Sequence, residues 1–127
     1  GKKIIHTIEQ AEPIGPGNYL DIMVVAPCTG NTLGKLAGGI TDTSVTMAVK
    51  AHLRNQKPVL IGVSTNDALG SSAKNIGLLL NAKGVYFIPM KQDNPTGKPR
   101  SMVFDFDLLE PALYSALNKV QLQPVFI

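Results

Sequence analysis

Asp21–Asp42, DIMVVAPCTGNTLGKLAGGITD, is the stretch whose reading decides the fold. Its first part, Ile22-Met23-Val24-Val25-Ala26, is apolar without alternation, the pattern of a strand buried on both faces of a parallel sheet. Pro27 has no N–H to donate and is expected to stop the ladder there. Short polar residues follow, and Gly30 permits close approach of the backbone to a ligand. Thr29 or Asn31 can cap a helix that opens near Thr32. A strand, a polar turn and a helix N-terminus form the arrangement at which open α/β sheets receive anionic ligands.

The same pattern recurs downstream. Gly38-Gly39 ends the first helix, and Asp42, Thr43 or Ser44 can cap a second one carrying Val45, Met47, Ala48, Val49, Ala51, His52 and Leu53 at helical spacing. Lys57-Pro58 introduces a second buried strand, Val59–Val63, followed by the polar turn Ser64-Thr65-Asn66-Asp67. After Gly70-Ser71-Ser72 a helix is expected over Ala73–Ala82, with Gly84 at its C-cap. The third strand is Val85–Ile88, ended by Pro89. Gln92–Arg100 reads as a loop, Asp107–Lys119 as a helix and Gln121–Ile127 as an extended tail. Upstream, Lys2–Glu9 fits a short edge strand or the end of a helix, and Ala11–Tyr19 a loop.

Strands alternating with helices predict an α/β fold, a Rossmann- or flavodoxin-like three-layer parallel sheet with helices on both faces. Three central strands are evident, where five or six are usual. Residues 1–127 therefore read as a single domain lacking its opening strand–loop–helix unit. An unpaired sheet edge of that kind predicts association with further chain.

The chain has 127 residues, 44% of them hydrophobic, which suits one soluble domain. Its net charge is +3, and its aromatic content is 6%. The twelve Lys and Arg residues are scattered, unlike the clustered, aromatic-interleaved surface of a nucleic-acid binder. No apolar run is long enough to cross a bilayer. The single cysteine, Cys28, excludes an internal disulfide and any multi-cysteine metal site. His6 and His52 lack ligand spacing, so no metal is expected, and His52, beside Arg54, is read as exposed. The N-terminus shows no secretory h-region, so no signal peptide is expected, and the single cysteine suits a reducing cytoplasm.

Pro27-Cys28-Thr29-Gly30-Asn31-Thr32, then Lys35, then Gly39-Ile40-Thr41-Asp42, resemble the turn, helix and following segment of the flavin-dependent cysteine decarboxylase superfamily of flavoproteins. That superfamily's second motif, Pro-x-Met-Asn-x-x-Met, corresponds here to Val63-Ser64-Thr65-Asn66-Asp67-Ala68-Leu69. Asn66 is kept, and the Pro and both Met positions are lost. APCTGNTLGKLAGGITDT, RNQKPVLIGVSTNDALG, VYFIPMKQDNP and KPRSMV are similar to one branch, the B subunits of bacterial dipicolinate synthases.

The resemblance implies a homo-oligomer in the mother cell of a sporulating bacterium. Its partner is a dehydrogenase-like A subunit carrying NADP, and together they form dipicolinic acid from a dihydrodipicolinate-type heterocycle. It implies FMN against Pro27, Cys28, Thr29, Gly30, Asn31, Thr32, Ser64 and Thr65, with Asn66 in the catalytic position. Asp67, Lys98, Arg100 and Ser101 are the substrate candidates, because an Arg fork suits a dicarboxylate. Two rival readings stand beside it. One is a non-catalytic, partner-binding subunit whose flavin cleft is empty. The other, an FMN-dependent cysteine decarboxylase, is disfavoured by the altered second motif. An ordinary capped turn at Pro27–Thr32, a turn-forming Asn66 and a plain basic loop at Lys98–Ser101 are the bland alternatives. Cys28 has no paired base in the sequence and reads as a buried, inert thiol. His6 lies near the region where the superfamily's decarboxylases carry a catalytic His, and reads here as incidental.

Overall fold

The computed structural model describes Ile4–Ile5 and residues 21–127. The expectations for His6, for the rest of Lys2–Glu9 and for the Ala11–Tyr19 loop lie outside the described residues. In chain order the elements are β1 (Ile4–Ile5), β2 (Ile22–Cys28), α1 (Gly30–Gly38), α2 (Ser44–Arg54), β3 (Val59–Thr65) and α3 (Ala73–Leu80). They continue with β4 (Val85–Phe87), β5 (Met90–Lys91), β6 (Met102–Phe104), a 3₁₀ turn (Phe106–Leu108) and α4 (Leu109–Leu117).

The two apolar runs form the centre of the sheet because both of their faces are covered. Met23 and Val25 of β2 and Val59, Ile61 and Val63 of β3 point to one side, where α1, α2 and α3 contribute Leu33, Val45, Val49, Ile76 and Leu79. Ile22, Val24 and Leu60 point to the other side, against Ala112 and Ala116 of α4. Each large aliphatic residue buried this way contributes about 1.5–3 kcal/mol, so the three-layer arrangement follows directly from the uninterrupted runs. β1, β2, β3 and β4 are parallel, with Val24 opposite Leu60 and Leu60 opposite Tyr86.

The sheet is mixed, not purely parallel. Ser64 and Thr65 at the end of β3 pair antiparallel with Val103 and Met102 of β6, and β6 pairs antiparallel with β5. Gly62 makes this possible. A Cβ there would lie 2.8 Å from the Ala26 Cβ and 3.0 Å from the Phe104 ring. Pro27 does not end β2 either. The strand continues to Cys28, with a shift of register between Val25 and Cys28 that accommodates the missing donor.

Two further expectations are corrected. His52 is not a surface residue. It lies one helical turn beyond Ala48 and Val49 on the buried face of α2, with 0% exposure. Neither ring nitrogen has a hydrogen-bond partner among the described residues. Burial, and then the nearby Lys57 charge, hold its pKa below the ordinary 6.5. The tail is also more than an extended end. The Gln121 amide accepts from the Phe87 N–H and donates to the Phe87 carbonyl, each at 2.7 Å, closing the outer edge of β4 as a further strand would. Phe126 bridges Met90 in parallel fashion. Thr43 is the cap of α2, in a reciprocal capping box with Thr46.

Candidate functional site

The C-terminal ends of β2 and β3 bring three separate stretches together. The first is the turn from Pro27 into α1. The helix opens at Gly30, two residues before the expected start, with Thr29 as its N-cap in extended backbone. The Thr29 side chain makes no capping bond; its hydroxyl lies 3.5 Å from that of Thr32. The first-turn N–H groups of a helix have no intrahelical partner, so this N-terminus presents donors that no side chain of the cap satisfies. Pro27, Thr29 and Asn31 are exposed, and Gly30 and Thr32 are partly so. Cys28 turns inward instead, fully buried in the core, and burial pushes its thiol up to about 12. That is an inert thiol, and only the backbone of Cys28 is left to face the turn.

The second stretch is the turn after β3. Asp67 accepts hydrogen bonds from the hydroxyls of Thr65 at 2.6 Å, Ser71 at 2.6 Å and Ser72 at 2.8 Å. These donors hold its carboxyl down at about 2. The turn abuts α1. A Cβ on Gly30 would stand 3.0 Å from Asp67 Oδ1, 3.0 Å from Ser72 Oγ and 3.1 Å from Thr65 Oγ1. Asn66 is exposed between Thr65 and Asp67, and Ser64 is half-buried through its pairing with β6.

The third stretch is Lys98–Ser101. The Arg100 carbonyl accepts from the Leu69 N–H at 2.9 Å, and the Arg100 stem lies over Gly70, where a Cβ would meet its Cδ at 3.4 Å. The loop thus reaches the second turn because β6 begins immediately after it. Lys98 and Arg100 are exposed, whereas Ser101 is buried and donates its N–H to the Lys98 carbonyl at 3.1 Å. Among the described residues the ion pairs are Lys35–Asp42 and Lys91–Asp105, so neither Lys98 nor Arg100 is matched by an acid there. Ser71 and Ser72 join the site without having stood out as candidates in the sequence. The available signal is two hydroxyls four and five residues after an acidic turn residue.

Residues 2–103 match the family model described as Flavoprotein. The chain is 49% identical over all of its length to the dipicolinate synthase B subunit of Bacillus subtilis (strain 168), spanning 64% of that protein. The crystal structure of the dipicolinate synthase B subunit from Bacillus halodurans C superimposes with a TM-score of 0.88 at 49% identity, over 98% of this chain and 64% of that one. The structure of SpaF, an FMN-dependent cysteine decarboxylase, matches with a TM-score of 0.58 at 27% identity, over 80% of this chain and 53% of that one. The family model covers most of the chain, including both turns and the loop that meets them, and the chain belongs to the Flavoprotein family.

Proposed function

We propose that this chain is the flavoprotein-type B subunit of a dipicolinate synthase, acting with a dehydrogenase-like A subunit that carries NADP. It works in the cytoplasm of the mother cell of a sporulating bacterium, as a homo-oligomer. The observation that carries this reading is the helix N-terminus at Thr29–Thr32, uncapped by any side chain and abutted at Gly30 by the turn that carries Asn66, a turn that the Arg100 segment meets in its own right at Leu69 and Gly70. Its support from kinship is the 49% identity to the B subunit of Bacillus subtilis.

The residues present fit FMN. Backbone N–H groups of Gly30, Asn31 and Thr32 are donors of the kind a polar ligand group needs, and the exposed Thr29 and Asn31 side chains, with Ser64 beyond, supply short polar contacts; Thr65, its proton held by Asp67, offers only its oxygen lone pairs. Bound FMN would supply a two-electron acceptor. Arg100 and Lys98 hold the two carboxylates of the heterocycle, the guanidinium by a planar fork and the ammonium as a point charge. Ser101, held at the base of the loop, orients that pair. Asn66 offers an amide to a carbonyl or carboxylate oxygen. Converting the dihydro compound to the aromatic dicarboxylate removes a hydride and a proton, so the reaction needs the two-electron acceptor that flavin, or the partner's nicotinamide, would supply.

A titration of FMN into the full chain, followed by flavin fluorescence, tests this reading. Stoichiometric binding followed by bleaching of the flavin with the dihydro substrate supports it. Full turnover by the A subunit alone would overturn the catalytic role. A non-catalytic subunit is the second reading, favoured by the replacement of the Pro and Met positions around Asn66.

A further inference from the structure

We propose that Asp67 is a positioning residue, which latches the turn after β3 closed, packed against the N-terminus of α1, and so fixes the course of the chain at Asn66. This rests on the flavin-site reading only for what the latch positions. The latch itself is visible without a ligand.

Each hydroxyl has a single proton to donate. Thr65, Ser71 and Ser72 all spend theirs on Asp67. None of the three can then donate to a bound anion, and the carboxylate they surround repels one. Asp67 is therefore poorly suited to receive a dicarboxylate, and Arg100 meets the substrate without its help. The arrangement also diverts Ser72 from another task. It occupies the N-cap position of α3 but makes no capping bond there, its hydroxyl being turned to Asp67. The Asp67 carbonyl takes the N–H groups of Gly70 at 2.9 Å and Ser72 at 3.1 Å. Side chain and main chain of one residue thus hold the whole turn.

Gly30 is the other half. Its backbone is helical and needs no glycine for its conformation. A Cβ would press on Asp67, Ser72 and Thr65 together, within 3.0–3.1 Å, and each would have to give by a few tenths of an ångström. Thr65 and Ser72 both donate to the same Asp67 oxygen, so moving one strains the network. The glycine suits the packing of this turn whatever binds nearby. Asn66 lies between two latched neighbours, Thr65 and Asp67, and that fixes the direction in which its exposed side chain leaves the turn.

The experiment is a melting cycle on the full chain without ligand, paired with FMN titration. Gly30→Ala should lower the melting midpoint by about 5 °C, and by less than half as much in an Asp67→Ala background, where the space is open. Equal drops in both backgrounds would overturn the latch. Well below every midpoint, Asp67→Ala should weaken FMN binding about tenfold, with most of the affinity restored in Asp67→Asn. Unchanged FMN affinity in Asp67→Ala would show a merely structural residue and overturn the positioning role. If the unaltered chain binds no FMN, the flavin reading fails, and the melting cycle still decides the latch.

Discussion

The turns after β2 and β3 occupy equivalent places in the sheet and have opposite characters. The turn after β2 leaves its polar groups open: Thr29 does not cap α1, and Asn31 is exposed. The turn after β3 satisfies itself, three hydroxyls converging on Asp67. A half-buried polar group left without a partner costs free energy, which the second turn avoids by pairing its own groups, while the exposed groups of the first turn are free to meet solvent or a ligand. On the proposed reading the first turn is the one that meets a ligand and the second is the one that holds its shape, with Asn66 exposed on it.

The strongest way to break this contrast is Gly62→Ala. The new methyl would sit 2.8 Å from the Ala26 Cβ and 3.0 Å from the Phe104 ring, forcing β6 and the Arg100 loop off the second turn. A loss of about 2–3 kcal/mol is expected, readable by urea denaturation. His52 separates the fold from the site. Its buried ring is unpartnered among the described residues, so His52→Leu should stabilise the chain by about 1 kcal/mol. The sign with pH follows from linkage. The folded pKa lies below the ordinary 6.5, so the unfolded chain takes up the proton first as pH falls. Stability is complete above about pH 7, declines below 6.5, and loses that decline in His52→Leu.

Asp67 titrates in a different window. Its folded pKa of about 2 lies below the ordinary 3.8. The stability it contributes is present above about pH 4 and is lost as pH falls toward 2. A denaturation series should therefore show two acid steps, the lower one absent from Asp67→Asn. A single step, or a lower step that persists in that variant, would remove the carboxylate from the scaffold. Ser71→Ala takes away one exposed donor and should cost only about 0.5–1 kcal/mol. Asn31→Ala marks the other end of the scale, with stability unchanged to within about 0.5 kcal/mol.

How much of this was legible in the sequence depended on how local each feature is. β2 and β3 were readable because seven-residue strands covered on both faces require uninterrupted apolar runs. β5 and β6, of two and three residues, carry no such pattern. Their pairing depends on the absence of a side chain at Gly62, far away in sequence. His52 sits at i+4 from Ala48, a spacing that signalled burial, but its polarity and the adjacent Arg54 pointed outward. The first turn was readable as a strand-to-helix junction. The Asp67 network was not, since its four side chains are common turn residues and the space they fill beside Gly30 is distant in sequence. Kinship gave the family, and geometry distinguished an open turn from a closed one.

The most direct test of that division is FMN titration of the full chain and of Asn31→Ala, with melting curves recorded on the same samples. We expect stoichiometric binding by the unaltered chain, weakened about tenfold in Asn31→Ala while the melting midpoint stays in place. No binding at saturating FMN, or equal affinity in both proteins, would contradict a ligand-facing first turn.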